Sequence, residues 1–206
     1  MCVGGGHCNI QVIKLLKKFI RDRKDSIDIT LISDSPISHY SGMLPSILSS
    51  LYSEEDYIIH LDVLARWGNC EYIQSSVIKI IGAENMILLE NGQQIYYDVL
   101  CINIGSRWNQ KNQIPGVLEY SLITRPIRNL LTRIIDKENE FRKNEVVTEV
   151  IICGGGAAGT ELSFSFKARW SQLFNKDITV RLLCSRDGPI PYSPLATRVE
   201  VERLLK

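Results

Sequence analysis

The chain has no CxxC pair, no long apolar run, no surplus of either charge and only three histidines. Each shortage closes off a class of function. The six cysteines (Cys2, Cys8, Cys70, Cys101, Cys153 and Cys184) lack the paired spacing of a zinc site. They also lack the density of a disulfide scaffold. They read as free thiols, several of them inside strand-like apolar runs, in a reducing, intracellular compartment, cytoplasmic or mitochondrial. No stretch nears the roughly 20 apolar residues that span a bilayer, so no transmembrane segment is expected. Glycines follow Met1, Cys2 and Val3 at once, without the charged and apolar regions of a secretory leader. A net charge of +1 gives no bulk pull toward nucleic acid or an acidic membrane. No Ser-His-Asp or Cys-His constellation stands out. No catalytic side chain and no metal-ligand set is therefore expected, and His39 and His60 read as loop or surface histidines.

What the chain does hold is two glycine-rich turns, one near each end. The first is Gly4, Gly5 and Gly6, followed by His7. The second is Gly154, Gly155, Gly156, Ala157, Ala158 and Gly159, followed by Thr160 and Glu161. Each follows an apolar, strand-like run and opens an amphipathic helical pattern. In that setting, bare main-chain N–H groups at the helix start can hold a pyrophosphate. The second turn fills all three positions of the dinucleotide fingerprint. Gly154 permits the tight turn, Gly156 the approach to the phosphates, and Gly159 close packing of helix on strand. The first turn is degenerate, with Asn9 where the third glycine would stand. It reads either as a phosphate cradle or as an ordinary strand–helix turn. His7 and Asn9 either touch a ligand or are polar residues at an exposed helix start. Two dinucleotide sites in one chain imply electron transfer between nucleotides, provided both junctions present unobstructed amide hydrogens.

The remaining pattern fits two βαβ units. Val12, Leu15, Leu16, Phe19 and Ile20 share one face of the first helix, and residues 27–32 form a β-branched strand ending at Ser33 and Asp34. A loop-rich stretch with Pro36, Gly42 and Pro45 follows. Residues 72–81, 86–89 and 95–97 read as short antiparallel strands, with Glu90, Asn91 and Gly92 turning between two of them. Residues 99–104 read as a buried strand running into Gly105 and Ser106. The polar stretch 109–116, with Pro115 and Gly116, is the expected domain boundary. Pro126 is placed to open a helix at its first position, with Ile127, Leu130, Leu131, Ile134, Ile135 and Phe141 on its apolar face. Residues 146–153 form the strand into the second turn. Leu162, Phe166, Trp170 and Leu173 line the next helix, and residues 178–183 make the following strand. The chain then ends in a further helical pattern.

An acid that meets a ribose is expected at the end of the second strand of each unit. In the first unit that place falls on Ser33 or Asp34. In the second no carboxylate ends the strand directly, but Arg186 is near. It is either a partner for a 2′-phosphate, favouring NADP, or a solvated surface charge.

In this order the motifs resemble the two-dinucleotide flavoproteins of the pyridine nucleotide-disulfide oxidoreductase superfamily. The run Tyr97, Asp98, Val99, Leu100, Cys101, Ile102, Asn103, Ile104, Gly105, Ser106 is similar to the family's YDxLxxxxGS strand, with Asn103 and Ile104 in place of the usual Ala-Thr. The run 39–45, HYSGMLP, together with that variant, resembles the type II NADH dehydrogenase-like branch. Within it, the module fused to selenide, water dikinase is most similar, and apoptosis-inducing-factor-type oxidoreductases are related.

The resemblance implies an α/β fold of two Rossmann-like dinucleotide-binding domains with a small antiparallel β-meander, C-terminally truncated. Residues 1–113 would be a partial FAD-binding domain and 114–206 a partial NAD(P)-binding domain. It implies Gly4, Gly5, Gly6 and His7 at the FAD pyrophosphate, and Ser33 or Asp34 at its ribose. Tyr40, Ser41, Gly42 and Met43 would lie by the isoalloxazine, with Gly105, Ser106 and Arg125 closing on the flavin. Gly154, Gly155, Gly156, Ala158, Gly159, Glu161 and Arg186 would form the NAD(P)H site. Glu161 either lies by the nicotinamide or is simply a carboxylate favoured in a first helical turn. The implied function is an FAD-dependent NAD(P)H oxidoreductase passing hydride from nicotinamide to flavin and on to a quinone or other small acceptor. Residues 35–60 contain no cysteine, which sets the chain apart from the family's disulfide reductases. The alternatives are a nucleotide-binding regulatory module without turnover, joined to or partnering a selenide, water dikinase-type domain, or an inactive fragment.

Overall fold

The computed structural model describes residues 1–23, 27–107, 114–144 and 149–206. The proposed boundary at 109–113 and the start of the strand at 146–148 lie outside the described residues. In chain order the strands are β1 (Cys2–Val3), β2 (Thr30–Ser33), β3 (Ile37–His39), β4 (Ile58–His60), β5 (Glu71–Gln74), β6 (Val77–Ile81), β7 (Met86–Leu89), β8 (Gln94–Tyr96), β9 (Cys101–Ile102), β10 (Glu149–Cys153) and β11 (Thr179–Leu183). The helices are α1 (His7–Arg23), α2 (Leu44–Leu48), α3 (Leu61–Gly68), α4 (Val117–Tyr120), α5 (Leu130–Asn144), α6 (Ala157–Phe174) and α7 (Leu195–Leu204). They fall into two compact units. Met1–Ser41 and Tyr57–Leu130 make the first, Gly42–Asp56 and Leu131–Lys206 the second.

The first unit is built on a parallel sheet in the order β5-β2-β1-β9. Cys2 pairs with Leu31 on one side and Cys101 on the other. Successive strand residues point to opposite faces, so Cys2 and Leu31 join Ile13 and Leu61 on the helical side. Val3 and Ile32 pack with Ile87 and Leu89 on the other. The second layer is the antiparallel meander β6-β7-β8. Burial, then the neighbouring Cys101, pushes the Cys2 thiol up to about 11, so it behaves as an apolar side chain.

Three expectations change here. Residues 72–81 are not one strand. The run breaks at Ser75 and Ser76, β5 pairs in parallel with β2, and only β6 enters the meander. The buried stripe of α1 runs through Asn9 and Ile13, with Leu16 and Ile20 half-buried, while Leu15 is 64% exposed and Phe19 is exposed. Residues 99–104 supply only the two-residue edge strand β9, with Val99, Ile102 and Ile104 all exposed.

In the second unit β10 and β11 run parallel in register from Glu149↔Thr179 to Cys153↔Leu183. Cys153 is exposed at the end of β10 rather than buried. Leu162, Phe166 and Trp170 of α6 are buried, as their spacing foretells, with Thr160, Ser163 and Ser165 beside them. The small residues let α2 come close: Ser165 Oγ donates to Pro45 O at 2.9 Å. Trp170 meets Phe141, Phe166 and Phe174 edge-on. On α5, Leu131 and Ile134 are buried. Pro126 stands one place outside its expected position, as N-cap of a 3₁₀ turn (Ile127–Asn129) that leads into α5. No helix among the described residues is long and apolar enough to cross a membrane.

Candidate functional site

The second glycine junction is the open one. Gly154 N donates to Leu183 O at 2.9 Å, tying the turn to the end of β11. Gly156 is the N-cap of α6, and no side chain among the described residues caps the helix. The first intrahelical bond runs from Thr160 N to Gly156 O, so the amides of Ala157, Ala158 and Gly159 precede the helical ladder. Those are the N–H groups that an anion takes at a helix start. Gly159 cannot be replaced without moving main chain, since a Cβ there would lie 1.9 Å from Gly154 O. Thr160 Oγ1, in the same turn, is buried without a hydrogen-bond partner among the described residues. A pyrophosphate fits this donor set. Glu161 lies one residue beyond the first turn and is exposed.

The first junction, which reads either as a phosphate cradle or as an ordinary strand–helix turn, is engaged by the chain's own groups. Gly4, at φ +89°, adopts a conformation that favours glycine. Its N–H donates to Ile32 O at 2.7 Å. Asn9, read either as a ligand contact or as a polar residue at an exposed helix start, is 1% exposed. Its Nδ2 donates to Val3 O at 2.9 Å and Gly4 O at 2.8 Å, so a side chain ties strand to helix where the fingerprint uses close packing on glycine. Asn9 Oδ1 has no hydrogen-bond partner among the described residues. Asn103, just past β9, takes two of the junction's amides. Its main-chain O accepts from Gly6 N at 3.1 Å, and its Oδ1 accepts from Cys8 N at 3.0 Å. Sequence reasoning singled out Asn103 only as a departure from Ala-Thr.

The other candidates fall on several separate segments. His7 begins α1, and its ring stacks on Tyr40 with centroids 4.8 Å apart. Ser33 is the buried last residue of β2, and its Oγ accepts from Ser35 N at 3.4 Å. Asp34 follows it into solvent and pairs with Arg128 at 3.4 Å. Asp34 is thus the accessible carboxylate at the strand end. Ser41 to Met43 form a 3₁₀ turn, and the division between units passes through it. Gly105 and Ser106 are exposed beyond β9, and Arg125 is half-buried before the 3₁₀ turn at Ile127. In the second unit Arg186 is exposed in the loop after β11. Arg198 of α7 reaches the same loop, its Nη2 donating to Asp187 O at 2.7 Å. Arg198 lies in the helical pattern that ends the chain, and only the fold brings it to the loop after β11.

The family model described as pyridine nucleotide-disulphide oxidoreductase matches residues 1–203. An FAD-dependent oxidoreductase of Flammulina velutipes is 26% identical over 129 residues, covering 62% of this chain and 36% of its own length. NDH2 from Plasmodium falciparum, solved in complex with NADH, matches with a TM-score of 0.73 at 18% identity, over 98% of this chain and 45% of that one. The sulfide:quinone oxidoreductase of Aquifex aeolicus matches with a TM-score of 0.67 at 22% identity, over 98% and 47%. At these identities the structural likeness is one of fold. The chain spans less than half the length of each of these relatives.

Proposed function

The chain belongs to the pyridine nucleotide-disulphide oxidoreductase family, and from that premise we propose that its two glycine junctions hold FAD and NAD(P)H. The supporting observation is the second junction, where uncapped helix amides meet a glycine whose replacement would force the main chain at Gly154 to move. Bound together, the two nucleotides supply hydride transfer from nicotinamide to flavin. The chain's own residues bind and orient. At the first junction Gly4, Gly5, Gly6 and His7 face the FAD pyrophosphate, and Asp34 takes a ribose hydroxyl, in preference to the inward-bonded Ser33. Tyr40, Ser41, Gly42, Met43, Gly105, Ser106 and Arg125 line the flavin. At the second, Gly154, Gly155, Gly156, Ala158 and Gly159 receive the NAD(P)H diphosphate, with Glu161 toward the nicotinamide. Arg186, joined by Arg198, favours a 2′-phosphate.

The proposal extends to a functional division near residue 113, a quinone or other small acceptor and an intracellular setting. It includes a selenide, water dikinase-type fusion or partner. These points rest on the motifs of the sequence. The test is anaerobic addition of NADH or NADPH to the flavin-loaded chain. The flavin's visible absorbance is expected to bleach, and persistence of the oxidised spectrum with both nucleotides bound would refute turnover. A second reading, nucleotide binding without turnover, is favoured by one observation, the engagement of the first junction by Asn103.

A further inference from the structure

Asn103 is held on both sides. Its N–H donates to Val3 O at 2.9 Å, and its carbonyl accepts from Gly6 N. The main chain is therefore part of the sheet edge and only the side chain is free to turn. That side chain lies directly over the first junction: a Cβ on Gly6 would be 2.0 Å from Asn103 Oδ1 and 2.4 Å from its Cγ. Gly6, the residue before α1, has no side chain with which to cap the helix. Asn103 supplies the cap from across the sheet, through Cys8 N–H. The start of α6 has no such cap among the described residues.

We infer that Asn103 is an affinity-setting residue of the first nucleotide site, an internal competitor that a diphosphate must displace from the amide of Cys8. The inference rests on the proposal that this junction holds the FAD pyrophosphate. A charge-assisted hydrogen bond to phosphate is about twice as strong as one to a neutral amide. The nucleotide therefore wins the exchange but gains only the difference. The residue weakens binding of a dinucleotide while it stabilises the chain that has none. A purely structural cap would stabilise both forms alike.

The test compares Asn103→Ala and Asn103→Asp with the parent chain by FAD titration, thermal melting without FAD and amide hydrogen exchange. Asn103→Ala is expected to bind FAD about fivefold more tightly, the worth of one cap hydrogen bond. It should also melt at lower temperature without FAD and lose exchange protection at Cys8. Asn103→Asp keeps an acceptor for Cys8 and its melting temperature, but sets a carboxylate against the phosphates. It is expected to bind FAD roughly tenfold more weakly. NADH binding at the second junction, unchanged in both variants, shows that the second unit is folded, and a cooperative melt with exchange protection retained along β1 and β2 shows that the first is. Equal or weaker FAD binding by Asn103→Ala, with NADH binding intact, overturns the inference and makes the carboxamide a donor to the ligand or a bystander. Failure of all three proteins to take FAD, with Cys8 protected only where residue 103 can cap it, overturns it from the other side. In that case the nucleotide assignment fails while the cap itself stands.

Discussion

His39 shows how a single residue in the first unit senses its surroundings. It lies half-buried with its ring 5.0 Å from that of Tyr57. Burial first, and the Arg128 cation second, hold its pKa below the ordinary histidine value of 6.5. The unfolded chain therefore takes up a proton there before the folded chain does. Stability is full above about pH 6.5 and falls as the pH drops through the window beneath it. Urea unfolding midpoints at stepped pH are expected to decline across that window, and His39→Gln is expected to flatten the decline. An unchanged slope in the variant would place the titration elsewhere. At this scale the sequence told which residues were available but not what they bonded to. Asn9 was visible as a break in the glycine fingerprint, yet its two bonds to Val3 O and Gly4 O depend on a strand end that only the fold brings beside it. Asn103 stands 95 positions from Cys8, beyond the reach of any local pattern.

Among the elements, the pairing of α5 with α6 depends on a group that periodicity alone would leave in solvent. Glu138 is 4% exposed on α5. It accepts two bonds from Arg169 of α6, at 2.5 and 2.8 Å, and one from Trp170 Nε1 at 2.8 Å. The carboxylate raises the pKa of Arg169, chiefly through those hydrogen bonds. Glu138→Gln keeps the acceptor for Trp170 but leaves the guanidinium uncompensated. Chemical denaturation is expected to show a loss of about 2–4 kcal/mol, less than for a sealed pair because the Arg169 side chain stays 20% exposed. No change would mean that Trp170 and its aromatic neighbours alone hold the two helices together. The elements themselves were largely legible. Residues 86–89 appear as β7 with the same bounds, and the stripe Leu162, Phe166, Trp170 is buried as spaced. The errors came where a tertiary partner overrode the local pattern. An unbroken β-rich run spanning 72–81 splits because its first half finds β2 and its second half finds β7. The apolar run 99–104 reads as buried, but β9 is a sheet edge with one neighbour.

For the whole molecule, the account is two compact units, each carrying a strand–glycine–helix junction, with a different nucleotide proposed for each. The sequence showed both junctions because each is a local signal of a few residues. It did not show that one is open and the other engaged by its own sheet, since that difference depends on a residue outside the turn. The most direct check is equilibrium dialysis of the chain against FAD and NADPH together, with Gly159→Ala alongside. The account predicts one of each nucleotide per chain, neither displacing the other. It also predicts loss of NADPH alone in the variant, whose added Cβ would meet Gly154 O at 1.9 Å. Competition of the two nucleotides for a single site, or undiminished NADPH binding by Gly159→Ala, would contradict it.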